Sequence, residues 1–312
     1  MTRSECAQWL AGRDHFVILT HRRPDGDTIG SAVTLCRGLR KLGKTAHVLE
    51  NGEASALLGT FLEGLTCPEA SEGTTLVCVD VASPGMLPTA FMPLMERIEL
   101  RVDHHGSATS FTPNELVDPN AAATGDIIYD VLTELGVTLD QEMAKALYVA
   151  VSTDTGCFHY ANTNAHAYLT AAACAATGAD LYPLTQILFD TNSMAKLRLQ
   201  SWMVDNAVLL ADGRAAVCAI PKSLEDTVTK EDLEGIPSFL RSIEGVKMSA
   251  TVREIEDGSK MSVRAVPGYD AAAICAKFGG GGHKGAAGAS VKLPLEEAKQ
   301  VVIDTLEAYL AE

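Results

Sequence analysis

Short, strongly apolar runs punctuate the first half of the chain: FVILT at 16–20, TAHVLE at 45–50, TTLVCVD at 74–80 and IELRVDHH at 98–105. Runs of this length, bounded by Gly, Pro or charged residues, predict strands buried on both faces. Between the first two, apolar positions from Thr28 to Leu42 recur at helical spacing and stop at Gly43. Strands separated by helical lengths predict βαβ units and a largely parallel sheet, whose ligands gather at the carboxyl ends of its strands. From Ala123 to about Arg198 the pattern is mostly helical, and SMAKLRLQSWMVDNA at 193–207 predicts a bridging helix. Beyond it, RAAVCAI predicts a strand and PSFLRSI a helix. KMSATVREIEDGSKMSVRAV then predicts a hairpin turning at Asp257-Gly258, and LEEAKQVVIDTLEAYL a terminal helix. The expected fold class is α/β. An N-terminal domain over 1–190 carries a mainly parallel sheet flanked by helices, and a helical linker over 191–209 leads to a smaller C-terminal α/β domain with a mixed sheet over 210–312.

Composition sharpens this picture in two ways. The chain has 312 residues, 47% hydrophobic and 21% charged, which suits a globular protein with a substantial core. No apolar run approaches the roughly 20 residues that span a bilayer, and the N-terminus lacks an apolar stretch of signal-peptide length. Eight cysteines without any CxxC pair read as reduced core residues, so a cytoplasmic protein with no membrane partner is expected. The net charge of −15 disfavours wrapping long duplex DNA, which calls for a basic surface. A small anionic substrate remains compatible, because bound metal ions can supply the attraction.

Candidate chemistry sits at the strand ends. FVILT is followed by His21, Asp25 and Asp27; TTLVCV by Asp80; IELRV by Asp103, His104 and His105; and the helix carrying LYVAVST leads into Asp154. Each has a plain structural reading. Asp25-Gly26-Asp27 makes a turn or helix cap, Asp80 and Asp154 make caps, and neighbouring histidines satisfy each other. The recurrence is harder to explain structurally, because gathering so many carboxylates without cations is costly. Carboxylates with imidazoles favour Mn²⁺, with Mg²⁺ or Co²⁺ as competitors and Zn²⁺ less suited.

HRRPDGDTIGS, the Asp80 segment, VDHHG and STDTGCF resemble, in order and spacing, the four motifs of the DHH phosphoesterase superfamily. GGGGHKGAAG, at 279–288, resembles the glycine-rich signature of its DHH-associated C-terminal domain. The whole chain looks like the nanoRNase and pAp-phosphatase branch. That resemblance implies two Mn²⁺ ions, one held by His21, Asp25 and Asp80, the other by Asp27, Asp80, His104 and Asp154. It implies that Asp103 orients His104 and that His105 faces the substrate. In the second domain it implies that Arg264, Gly281, Gly282 and His283 hold a terminal phosphate while the neighbouring ester is cleaved. It also implies a homodimer.

The substrates expected are short single-stranded oligonucleotides such as pApA, cut to mononucleotides, with pAp as a further substrate. A small-molecule phosphatase with little action on dinucleotides is the nearest alternative. An inorganic pyrophosphatase would lack the glycine-rich ending, and a regulatory nucleotide-binding module would not need the full ligand set. Two departures bear on substrate choice. Cys157-Phe158-His159 stands where the family often has Ser-Phe-Arg, and Ala265 follows Arg264 where the family usually has serine.

Overall fold

The computed structural model describes residues 1–229, 232–233 and 235–311. It divides into two units, Met1–Thr191 and Asn192–Glu312.

The first unit is built on a six-stranded, all-parallel sheet. Its strands are β1 (Phe16–Leu19), β2 (Ala46–Leu49), β3 (Thr66–Cys67), β4 (Thr75–Val79), β5 (Ile98–Asp103) and β6 (Asn114–Val117), in the order β3-β2-β1-β4-β5-β6. The order reverses between β1 and β4, so the topological switch point lies where those two carboxyl ends adjoin. Side chains alternate across the sheet. Phe16 and Ile18 join a core with helices α1 (Arg3–Ala11), α2 (Gly26–Lys41), α3 (Thr124–Glu134) and α4 (Gln141–Asp154). Val17 and Leu19 face the other way, toward Leu87 and Phe91 in the irregular segment after β4. A further helix, α5 (Ala165–Ala176), packs on α4 through Ala167 and Cys174.

Two glycines set how closely α2 meets α4. A Cβ on Gly30 would fall 2.3 Å from the Ala146 carbonyl oxygen, and one on Gly26 2.3 Å from Thr153 Oγ1. Only hydrogen at these positions allows the contact, which brings the start of α2 beside the end of α4.

The second unit begins with helix α6 (Met194–Asn206), the segment read as a bridge. Its buried Leu199 and Met203 pack against Ala216, Cys218 and Ile220 of the same unit. The sheet comprises β7 (Val208–Leu210), β8 (Ala215–Ile220), β9 (Met248–Ile255), β10 (Gly258–Ala265), β11 (Gly281–His283) and β12 (Ala286–Val291), in the order β11-β12-β10-β9-β8-β7. It is mixed, β8 and β9 being parallel and the other neighbours antiparallel. Helices α7 (Ala271–Ala276) and α8 (Leu295–Ala311) cover the apolar face carrying Val263 and Ala287.

The hairpin differs from expectation by one position. Gly258 pairs with Ile255, so the turn is Glu256-Asp257, and Gly258 is a strand residue. A Cβ there would stand 2.5 Å from the Val291 carbonyl oxygen, so its glycine serves close strand passage.

Candidate active site

The carboxyl ends of β1, β4 and β5 lie side by side at the switch point, and each delivers acidic or imidazole groups. After β1, His21 is buried and its Nδ1 lies 2.7 Å from the Arg22 carbonyl oxygen. A carbonyl only accepts, so Nδ1 carries a proton, and Nε2 faces Asp25 Oδ1 at 3.5 Å and Asp80 Oδ2 at 3.4 Å. Asp25 caps α2, accepting from the amides of Asp27 and Thr28, while its side chain stays 56% exposed. The turn-and-cap reading and the site reading are thus both satisfied by one residue.

Asp27 is fully buried and wholly hydrogen-bonded. Its Oδ2 accepts from the Thr124 amide at 2.7 Å; its Oδ1 accepts from the Gly125 amide at 2.9 Å and the Ser31 hydroxyl at 3.0 Å. Those amides are the open N-terminus of α3, whose dipole favours a carboxylate. Thr124 Oγ1 also donates to Asp80 Oδ1 at 3.1 Å. Neither Thr124 nor Gly125 was singled out from the sequence; the signal available was TGD opening a helical pattern after three alanines.

Asp80 occupies the left-handed region at φ 60°, a strained setting for a non-glycine residue and a mark of function. It stands centrally, with His21 on one side and His104 Nε2 at 3.7 Å from its Oδ1 on the other. The same His104 Nε2 approaches Asp154 Oδ2 at 3.0 Å and Asp27 Oδ2 at 3.8 Å. Three donor groups result: His21, Asp25, Asp80; Asp27, His104, Asp154; and Asp80, His104, His105. Within each, one ligand atom per residue lies within 4.8 Å of the others. All six expected metal ligands therefore converge.

Asp103 supports a different imidazole from the one expected. His105 Nδ1 lies 2.7 Å from Asp103 Oδ1, whereas His104 Nδ1 faces the Ala121 carbonyl oxygen at 3.3 Å. The buried Asp103 side chain also accepts from the His105 amide at 3.3 Å, a local two-residue turn that selects His105. Behind Asp103 stands Arg101, only 1% exposed. Its Nη1 donates to the carbonyls of Ala82 and Thr109, both at 3.0 Å, and lies 3.9 Å from Asp103 Oδ2; its Nη2 meets Glu115 at 3.1 Å. A cation inside the apolar run IELRVD was the overlooked signal.

The electrostatics call for cations. Burial, then Asp80 and Asp154, raises Asp27 well above the ordinary carboxylate range. Burial also raises Asp154. Burial would lower His21, but its contacts with Asp25 and Asp80 carry it up to about 11, and His104 rises to about 10 on Asp154, Asp27 and Asp80. The charged partners that face Asp27, Asp80 and Asp154 here are imidazoles, those of His21, His104 and His105. Oxygen-rich donors with imidazole nitrogens fit divalent cations.

The DHH family N-terminal domain matches residues 15–151, and the DHHA1 domain matches residues 212–312. The chain is 33% identical over 296 residues to the bifunctional oligoribonuclease and PAP phosphatase NrnA of Thermus thermophilus, an alignment covering 94% of the chain and 89% of that protein. This chain belongs to the DHH family of phosphoesterases. The DHH protein is also 24% identical over 308 residues to NrnA of Bacillus subtilis, covering 97% of each. Its fold matches an exopolyphosphatase-related protein from Bacteroides fragilis with a TM-score of 0.88 at 23% identity, covering 99% and 97% of the two chains.

In the second unit of the DHH protein, the DHHA1 match spans the remaining expected residues. His283 pairs with Ala286, which pairs with Arg264, so both side chains share one face of the sheet two strands apart. Arg264 Nη1 donates to the Val263 carbonyl at 3.0 Å. Gly281 and Gly282 belong to edge strand β11, and a Cβ on Gly282 would fall 2.6 Å from the Ala286 carbonyl oxygen. Gly281 is open on its outer side.

Proposed function

We propose that the protein is a Mn²⁺-dependent phosphodiesterase that cuts short oligonucleotides, including linear dinucleotides such as pApA, to mononucleotides, and also removes the 3′-phosphate of pAp. The observation that carries this reading is the shared position of Asp80 between the His21–Asp25 group and the His104 group. One carboxylate with donors on both flanks suits two cations close together. His21, Asp25 and Asp80 would hold one ion, and Asp27, Asp80, His104 and Asp154 the other. When bound, such cations act as Lewis acids and neutralise charge on the attacked phosphate.

The chain's own groups do the rest. Thr124 and Gly125 amides and Ser31 fix Asp27, so the buried ligand cannot rotate away. Asp103 holds Nδ1 of His105, which leaves Nε2 to carry a proton toward a phosphate oxygen. The Asp103 contact raises the His105 pKa and keeps that proton available. Arg264 and His283, with the Gly281 and Gly282 backbone, would grip a terminal phosphate of the substrate, Arg264 through its two-pronged guanidinium. Net charge of −15 supports small anionic substrates over long duplexes. The two NrnA relatives, named for both activities, support pairing the reactions.

The test is turnover by purified protein of pApA, pAp and a longer RNA, with and without Mn²⁺. Mn²⁺-dependent hydrolysis of the first two and little of the third is expected. Nucleotide binding without turnover under any divalent cation would overturn the proposal in favour of a regulatory module.

A further inference from the structure

Immediately after Asp154 the backbone does something unusual. Gly156, Cys157 and Phe158 lie consecutively in the left-handed region, at φ 56°, 53° and 66°. L-residues visit this region singly and at a cost, so a run containing Cys and Phe persists only where surrounding structure enforces it. Here the Thr155 carbonyl accepts from both the His159 and Tyr160 amides, and Cys157 N–H donates back to Ser152 at 2.7 Å. Asn162 donates to the carbonyls of Asp154 and Ala122, both at 3.0 Å, which keys the loop to a candidate metal ligand and to the segment before α3. Phe158 anchors the turn from beneath, stacked on Tyr168 with centroids 5.3 Å apart.

What the turn presents is Tyr160. Its ring lies against Gly156 so closely that a Cβ there would meet Tyr160 Cζ at 2.4 Å, yet the residue remains 50% exposed. The ring is fixed on one side and open on the other, six residues beyond Asp154. We propose that Tyr160 is a stacking platform for the base of a bound nucleotide. This rests on the reading of the protein as a phosphoesterase of short nucleotides, and adds where the base goes. Aromatic stacking accepts any base, because every base has a π-face. A chain with a net charge of −15 has reason to draw affinity from stacking rather than from phosphate contacts alone.

The experiment compares steady-state kinetics on pApA and on the same dinucleotide with both bases removed, in the full-length Mn²⁺-loaded protein. Tyr160→Leu keeps bulk over Gly156 without a π-face. It is expected to raise KM for pApA by about 5- to 100-fold, with kcat changed by less than about twofold. Tyr160→Trp and Tyr160→Phe should keep KM at or below the wild-type value, and all three variants should match wild type on the abasic compound. Tyr182→Ala, which removes an exposed tyrosine elsewhere, should change nothing. Quenching of a 2-aminopurine-labelled dinucleotide on binding gives a readout independent of turnover, and it should be lost only in Tyr160→Leu. If Tyr160→Leu matches wild type on pApA, or shifts both compounds equally, the platform is wrong while the phosphoesterase reading stands. If wild type neither binds nor cleaves either compound, the parent reading falls and the platform with it.

Discussion

At the scale of single residues, Asp80 and Arg101 make opposite demands. Asp80 is buried between two imidazole-bearing groups and sits in a strained backbone, the setting expected of a residue held for chemistry. Asp80→Asn keeps the shape but halves the charge-bearing oxygens. It should reduce hydrolysis of every phosphate ester below detection, and it should also lower the His21 and His104 pKa values in an NMR titration, because the charge that helps raise them is gone. Residual activity above a few per cent would contradict its shared position. Arg101, by contrast, holds Glu115, Asp103 and three carbonyls from the interior. Arg101→Met strands buried acceptors and should cost about 3–5 kcal/mol, seen as a lower denaturation midpoint. Arg101→Lys restores the charge but not the fork and should recover only part of it. The convergence of His21, Asp25, Asp27, Asp80, His104 and Asp154 was legible, because each follows an apolar run that a parallel sheet aligns. Arg101, Thr124 and Gly125 were not, since a strand arginine and a helix start carry no pattern until the fold shows what they touch. The assignment of Asp103 failed for a similar reason: adjacent imidazoles are indistinguishable in sequence, and a two-residue turn decides between them.

At the scale of elements, the site depends on how tightly α2 and α4 cross. Asp25 and Asp27 begin α2, and Asp154 ends α4. Gly30 lies on the contact, where any side chain would overlap the Ala146 carbonyl and Ala150. Gly30→Ala should destabilise the first unit by about 1–3 kcal/mol through overpacking. By parting the helices it should also weaken Mn²⁺ binding, measured by calorimetry, more than Gly38→Ala, which presses only on flexible Leu132 atoms. Equal effects from both would show that the crossing does not set the ligand spacing. The central strands β1, β2, β4 and β5 could be read from their apolar runs. The edges β3, β6 and β7 could not: they span two to four residues, few of them fully buried, and form only because a neighbour offers pairing groups.

At the scale of the whole molecule, cation binding, pH and stability are linked. The metal-free first unit holds protons on His21 and His104 far above the unfolded imidazole value of about 6.5, up to about 11 and about 10. A group raised on folding contributes stability that is fully present below its unfolded value and fades as pH climbs through its folded value. The metal-free protein therefore loses this contribution progressively above about pH 6.5. Asp27, raised by burial and by Asp80 and Asp154, already opposes folding once the unfolded chain has ionised, so it adds no compensation on the alkaline side. A cation must expel the same imidazole protons to reach Nε2, so its apparent affinity rises with pH, up to about tenfold per pH unit for each proton displaced. Both effects point the same way. The rise in melting temperature produced by a fixed excess of Mn²⁺ should be larger at pH 8.5 than at pH 6.5, and His104→Ala should flatten that slope. A stabilisation independent of pH, or one greater in acid, would mean that these imidazoles do not meet the cation.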